Sequence, residues 1–285
     1  MSKNLIPLKI GPTIFDFKRT YIMGIVNVTP DSFADGGHYY QTKLALKQIE
    51  KLIQEGADII DLGAESTRPG SAAVSVDEEI RRLQPILKAY KKNFSTPLSI
   101  DTSKSEVARI ALEYGADLIN DISAFRIDSN MPKVIAAADV PVVLMHMQGT
   151  PRSMQHQPQY QNVVAEITAF FESAIQQAEK AGIHQIILDP GIGFGKTLAH
   201  NLQILHDLDK FQSLNKPLLI GTSCKSFIDK IIPTEVTKRL PGTIASNVLA
   251  ILKGANFVRV HDVAALKQAI LVTEAILTQG EFNKV

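Results

Sequence analysis

Glu55-Gly56-Ala57-Asp58-Ile59-Ile60-Asp61 has near-copies elsewhere in this chain. It returns as Tyr114-Gly115-Ala116-Asp117-Leu118-Ile119-Asn120 and again as Lys253-Gly254-Ala255-Asn256-Phe257-Val258-Arg259. Ala181-Gly182-Ile183-His184-Gln185-Ile186-Ile187 is a looser copy. Each copy reads as a helix end, a glycine and an apolar strand. Glycine suits the residue after a helix because that residue often takes positive φ. Joins of one length, repeated, imply one local geometry, repeated.

Working outward from these joins, short runs of Ile, Val and Leu alternate with longer stretches of helical spacing. The strand runs are Tyr21–Val28, Ile59–Gly63, Leu98–Asp101, Leu118–Asp121, Val142–His146, Ile186–Asp189, Leu218–Gly221 and Phe257–His261. Between them, Lys43 to Glu55 is typical: Ala45, Ile49, Leu52 and Ile53 share one helical face, and Glu and Lys cover the other. Eight βα units in about 250 residues are most simply a closed (β/α)8 TIM barrel. An open doubly wound sheet usually has fewer strands and a glycine-rich first turn, which the first strand here lacks.

Residues 1–20 read as a short N-terminal β-hairpin, with turn chemistry at Lys9-Ile10-Gly11-Pro12. No Pro- or Ser-rich linker divides the chain, so residues 1–285 are expected to be one barrel domain with the hairpin covering it. The longest loops, 29–41 and 147–160, follow strand C-termini, the face on which barrel active sites lie.

Composition narrows the function. The chain has 285 residues, 45% hydrophobic and 21% charged, with a formal net charge of +1. That balance gives no electrostatic case for nucleic acid or an acidic membrane surface. No run of about 18 apolar residues predicts a membrane span. The lone cysteine, Cys224, excludes an intrachain disulfide and fits a reduced cytoplasmic enzyme.

The strand ends carry the chemistry. In order they present Asn27, Asp61, Asp101, Asn120-Asp121, His146, Asp189, then Gly221-Thr222-Ser223 with Lys225-Ser226 beyond, and Arg259 with His261. Arg259 and His261 lie two apart and so share a strand face, as do Ser99 and Asp101. A single carboxylate after a strand is as readily a helix cap as a ligand. A ring of amides, carboxylates and cations at one mouth suits a flat polar heterocycle bearing an anion.

Other motifs fail. Gly191-Ile192-Gly193-Phe194-Gly195-Lys196-Thr197 resembles a phosphate loop in composition but not in glycine spacing, and it follows Asp189. No His or Cys pair has zinc-ligand spacing. There is no G-x-S-x-G, and Cys224 has no partner base in sequence. His200 and His206 sit in a helical stretch as expected surface residues.

Taken together, several segments resemble the dihydropteroate synthase family. They are Asn27-Val28-Thr29-Pro30-Asp31-Ser32-Phe33, Ser66-Thr67-Arg68-Pro69-Gly70, Ile100-Asp101-Thr102-Ser103-Lys104, Ile119-Asn120-Asp121, Leu188-Asp189-Pro190-Gly191 running to Lys196, and Arg259-Val260-His261-Asp262. The resemblance runs from about Gly11 to the C-terminus. It implies a barrel that joins para-aminobenzoate to hydroxymethyl-dihydropterin pyrophosphate and releases pyrophosphate, by dissociative substitution at the pterin methylene carbon.

The resemblance also assigns roles. Asp101, Asn120, Asp189 and Lys225 hold the pterin, with Met145 on one ring face and Arg259 on the other. Asn27, Thr67, Arg68, Arg259 and His261 take the pyrophosphate, and Asn27 is a ligand to Mg²⁺. Phe33, Pro69, Phe194, Lys225 and Ser226 enclose the aminobenzoate. Asn27, Arg259, His261 and Lys225 carry catalysis. Two positions depart from the family: Cys224 stands where Arg is usual, and Ile192 where Phe is common.

Two alternatives remain open in the residues. One is a pterin-dependent methyltransferase, which needs neither Thr67–Gly70 nor the Arg259/His261 anion pocket. The other is a catalytically inactive pterin-binding paralogue. The helices at Thr243–Lys253 and Val263–Leu277 are apolar around more than one face, which predicts a homodimer through them. Beyond that copy, the expected partners are the small-molecule substrates.

Overall fold

The computed structural model describes residues 5–28, 38–66, 71, 73–151 and 153–279, and for residues 38–40 the backbone alone. Ten strands are named along the described chain: β1 Leu8–Ile10, β2 Thr13–Phe15, β3 Tyr21–Asn27, β4 Ile59–Gly63, β5 Leu98–Asp101, β6 Leu118–Asp121, β7 Val142–Met145, β8 Ile186–Asp189, β9 Leu219–Ile220 and β10 Phe257–Val260. The helices are α1 His38–Gln54, α2 Val76–Asn93, α3 Ser105–Glu113, α4 Met131–Ala138, α5 Val163–Lys180, α6 Leu198–His206, α7 Ser226–Ile231, α8 Leu240–Leu252 and α9 Val263–Leu277. Strands β3 to β10 form one parallel sheet in the order β8-β7-β6-β5-β4-β3-β10-β9. Its two ends meet where Leu188 and Leu218 bridge and the Leu188 N–H reaches Pro217 O at 2.9 Å, so the sheet closes. The result is the expected (β/α)8 barrel.

The repeated join explains how the sheet is seeded. Gly56, Gly115 and Gly254 take φ of +99°, +91° and +97°. The N–H of the next residue then bonds back across the helix end: Ala57 to Leu52 O at 3.0 Å, Ala116 to Ala111 O at 3.0 Å, Ala255 to Ala250 O at 2.9 Å. The following Asp or Asn holds the start of a neighbouring strand, at its first or second residue or the one just before it. Asp58 accepts from the Ile22 N–H at 2.8 Å, Asp117 from Leu98 at 2.9 Å, and Asn256 from Leu218 at 2.9 Å. One seven-residue phrase therefore ends a helix, turns the chain and sets a strand register.

Side chains alternate along each strand. One set, including Ile60, Leu62, Leu98, Ile100, Leu144, Leu188 and Val258, packs outward beneath the helices. The other fills the barrel: Tyr21, Met23, Ile59, Leu118, Val143, Ile187, Leu219 and Phe257 form one apolar layer. The β1–β2 hairpin, paired Leu8 to Phe15, closes the N-terminal end of that layer with Leu8, Ile10, Phe15 and Phe17. Phe15 meets Tyr21 edge-on at 4.7 Å and Phe257 at 5.6 Å.

Above this layer the inward positions turn polar. Asp61, Asn120, Asp189 and Arg259 each lie two residues beyond an apolar inward neighbour on their strands; Ser99 is the first inward position of β5, and Asp101 follows it. β4, β5, β6 and β8 coincide with the runs expected from sequence. Four strands stop one residue earlier than expected, β3 at Asn27, β7 at Met145, β9 at Ile220 and β10 at Val260, and β9 also starts one residue later, at Leu219. α8 begins at Leu240, ahead of the expected Thr243, because Pro241 is accommodated in its first turn.

Candidate active site

At the C-terminal mouth of the barrel, Asp61 is the hub. It is fully buried, yet it sits mid-strand on β4. Its carboxylate accepts from Ser99 Oγ at 2.5 Å, from Asn120 Nδ2 at 3.1 Å and from Arg259 Nε at 2.6 Å. The Arg259 Nη2 also donates to Asp101 Oδ2 at 2.7 Å. Two carboxylates thus hold two nitrogens of one guanidinium, and Nη1 is the nitrogen they leave. Gly63 stands beside Asp101 in register, and a Cβ there would come within 3.3 Å of the Asp101 Cβ.

Asn27 closes β3 beside Gly63, half-buried. Asp189 ends β8 and is buried; one of its oxygens accepts the Gly191 N–H at 2.7 Å, which leaves the second oxygen for a ligand donor. Lys225 precedes α7, and its Nζ lies 4.1 Å from the centre of the Phe194 ring. Phe194 packs in turn against a small cluster of Ile122, Met145, Met147 and Met154. Ser226, exposed, opens α7. His261, just past β10, meets Ser223 Oγ through Nδ1 at 2.9 Å.

The electrostatics follow from burial. Burial pushes the Asp101 carboxyl up to about 7, against the pull of Arg259. Burial raises Asp189 too, opposed by the Gly191 N–H and then Lys225. Desolvation, with the charge of Arg259 close by, brings Lys225 down to about 8, while Asp189 and Asp101 resist. Burial works against the Arg259 charge, but Asp61 and Asp101 outweigh it and hold Arg259 above its ordinary value. The mouth is therefore a balanced set of acids and bases in a low-dielectric floor. It can accept a flat donor-rich ring edge and offer cations to an anion.

Comparison with known proteins decides among such sites. Residues 23–261 match the family described as pterin binding enzyme. A dihydropteroate synthase of Synechocystis is 45% identical over 274 residues, covering 95% of each chain. The structure of the Yersinia pestis dihydropteroate synthase with a sulfonamide drug complex superposes with a TM-score of 0.91 at 40% identity, over 96% of this chain and 100% of that one. The Xanthomonas albilineans dihydropteroate synthase in complex with 7,8-dihydropteroate gives a TM-score of 0.87 at 40% identity, over 95% and 99%.

The chain belongs to the dihydropteroate synthase family.

Of the residues that sequence assigns to such a synthase site, Asn27, Asp101, Asn120, Met145, Asp189, Phe194, Lys225, Ser226, Arg259 and His261 all lie at the C-terminal ends of barrel strands or just beyond them. Phe33, Thr67, Arg68 and Pro69 lie outside the described residues. Some strand-end residues do not join the ring. His146 falls on the outward parity, where its ring packs edge-on to Phe170 of α5 at 4.8 Å. Asp121 is spent on its own turn, accepting from the N–H groups of Ser123 and Phe125. His200, expected on the surface, is half-buried, and its Nδ1 accepts the Thr197 N–H at 3.2 Å in a capping box.

Three residues of this synthase mouth were not assigned roles from sequence: Asp61, Ser99 and Ser223. Parity was the available signal for Asp61. It shares a face with Ile59 and Gly63, and an acid in the middle of a buried strand needs a cation from a nearby strand. Ser223 stands among the polar strand ends in sequence, but nothing local links it to His261, which it orients. Among the described residues, no group of three or more His, Cys, Asp or Glu side chains could hold a metal ion. Nor is any described helix long and apolar enough to cross a membrane.

Proposed function

We infer that this chain condenses hydroxymethyl-dihydropterin pyrophosphate with para-aminobenzoate, giving dihydropteroate and pyrophosphate. The observation that carries the reading is the Asp61–Arg259–Asp101 array with Asn120, Asp189 and Lys225 at the mouth, in a chain matching dihydropteroate synthases over nearly its whole length.

In this reading a pterin lies across the mouth. Its adjacent ring N–H and amino group suit the carboxylates of Asp101 and Asp189, and Asn120 complements a further edge atom. Lys225 would donate to the ring carbonyl. Met145 would cover one face of the ring and the guanidinium of Arg259 the other. The pyrophosphate would then face Arg259, His261 and Asn27, joined by Thr67 and Arg68.

Cleavage of the methylene C–O bond leads. Arg259 and His261 stabilise the departing charge, and the electron-rich ring stabilises the carbon left behind. The aniline nitrogen is neutral and a weak nucleophile, so placement matters more than a base. Phe33, Pro69, Phe194 and Lys225 would wall its ring, and Ser226 would meet its carboxylate.

Mg²⁺ is part of the proposal. Asn27 offers one amide oxygen at the end of β3, which suits a hard cation bound largely through substrate pyrophosphate and water. Asn27 would hold the ion there, and the ion would neutralise charge on the leaving pyrophosphate. We also propose a homodimer through α8 and α9, where Leu249, Leu252, Val272 and Ile276 are exposed. A cytoplasmic setting fits a free Cys224.

The test is direct. The chain is mixed with both substrates and Mg²⁺, and pyrophosphate and dihydropteroate are measured together. One-to-one formation is expected. Pterin binding without pyrophosphate release would leave a binding protein and end the catalytic reading.

A further inference from the structure

The glycine-rich segment Gly191–Thr197 failed as a phosphate loop, and the structure gives its lysine other work. Lys196 is 1% exposed and reaches no phosphate-accessible surface. Its Nζ sits 3.0 Å from His146 Nδ1, 3.2 Å from His146 O and 2.9 Å from Phe194 O. Burial brings the Lys196 amine down to about 7, with Asp189 resisting; in its protonated form it has three donors, and three acceptors surround it. Burial, with the charge of Lys196 next, holds His146 well below its ordinary value, so the imidazole is neutral and Nδ1 can accept.

The glycines serve the same junction. Gly191 takes φ of +70°, and a Cβ there would stand 2.0 Å from His146 O, the carbonyl that Lys196 also holds. A Cβ on Gly195 would stand 2.6 Å from Gln148 O. The loop after β8 is thus pressed onto the loop after β7. Other side chains fix the flanking peptides: Asn201 takes the Gly193 N–H, Gln155 donates to Gly193 O, and Tyr160 donates to Gly195 O. Lys196 holds the Phe194 carbonyl itself, and the Phe194 ring is what lies over Lys225.

We propose that Lys196 is a positioning residue for the aminobenzoate pocket: its buried amine ties Phe194 to His146 and so sets the aromatic wall against Lys225. This rests on the reading that Phe194 walls the aminobenzoate ring. Lys196 touches no substrate and acts through Phe194.

The experiment is a steady-state double-mutant cycle on the full chain with Lys196→Met, Phe194→Ala and the pair. Lys196→Met should raise the aminobenzoate KM about tenfold while the pterin pyrophosphate KM stays within about twofold. In the Phe194→Ala background the same change should move the aminobenzoate KM by less than about twofold. Equal rises in both KM values, or the full effect persisting without Phe194, would overturn the proposal. If Lys196→Met does not fold, Lys196→Gln keeps part of the donor set and must show the same split, in smaller measure, for the proposal to stand. A wild-type chain that makes no dihydropteroate would remove the parent reading and this inference with it. Wild-type turnover with unsplit constants removes this inference alone.

Discussion

Asp61 and Arg259 meet at 2.6 Å over the intervening strand β3, 198 residues apart in sequence, with Asp61 wholly out of solvent. The pairing gives Arg259 a fixed edge. A buried acid is tolerated here because it has Ser99, Asn120 and Arg259 to satisfy it. Asp61→Asn keeps the shape and removes the charge. It should lower kcat/KM by about 100-fold, because Arg259 and Asn120 lose their common anchor. Steady-state kinetics measure this. An Asp61→Asn enzyme with wild-type constants would show that Asp101 alone orients Arg259.

The Asp101 carboxyl gives a pH dependence. Folding raises it to about 7, so the folded chain holds that proton more tightly than the unfolded chain does. The associated stability is present in full below the ordinary carboxylate range and is lost as pH rises through about 7. Pterin binding runs the other way, since the carboxylate is the acceptor. The affinity for 6-hydroxymethylpterin, which lacks the titrating phosphates, should fall severalfold from about pH 8 to about pH 6, the Lys225 amine at about 8 opposing part of the Asp101 effect. Calorimetric titration across that range checks the slope, and Asp101→Asn should flatten it.

The two ends of the barrel should respond differently to substitution. Phe15 is fully buried at the N-terminal end, against Tyr21 and Phe257. Phe15→Ala should cost about 3–5 kcal/mol of stability. Turnover per folded molecule at a permissive temperature should stay within about twofold of wild type, because chemistry belongs to the other end. Thermal denaturation together with activity measures both. A large loss of turnover in folded Phe15→Ala protein would mean that the hairpin sets the geometry of the mouth.

How much of this was legible beforehand follows from what each feature depends on. The strands were legible because parallel barrel strands are short and apolar on both faces, and Gly-Ala-Asp or Gly-Ala-Asn marks where three of them begin. Asp101 and Asp189 were legible as strand ends. The hub at Asp61 was less so, since its cation lies on β10 and no local spacing connects the two. His146 lies one residue past the end of β7, and one residue reverses the face, so a run extended to His146 does not show that its side chain turns outward. Lys196 was unreadable in another way. Composition cannot tell a lysine aimed at solvent from one folded back onto the carbonyls of its own loop.

Asn27 and Phe33 stand only six positions apart in sequence, yet the proposed mechanism divides them between two substrates. Asn27 is fixed at the end of β3 and is assigned to the metal and pyrophosphate. Phe33 is assigned to the aminobenzoate ring. Asn27→Ala should lower kcat by about 100-fold and raise the Mg²⁺ concentration needed for half-maximal rate. Phe33→Ala should mainly raise the aminobenzoate KM, by about tenfold. Rates measured against Mg²⁺ and against each substrate separate the two. One shared kinetic signature would dissolve the division.

The exposed apolar face of α8 and α9 yields the last prediction. Leu252 is 54% exposed, Val272 56% and Ile276 72%, on helices that pack together. Scattered apolar residues need no partner, but a run of them on two adjacent helices exposes an area that water disfavours. A second copy of the chain would cover it by symmetry, each subunit presenting the same face to the other. Multi-angle light scattering at micromolar concentration should therefore give twice the chain mass. Ile276→Lys with Leu252→Lys places like charges across such an interface and should give the single-chain mass, with the barrel still folded by circular dichroism. The sites lie at the mouths of separate barrels, so the monomeric variant should keep turnover within about threefold of wild type at a temperature where it is stable. A wild-type chain of single mass would end the proposal, because the exposed face would then have no second copy to cover it.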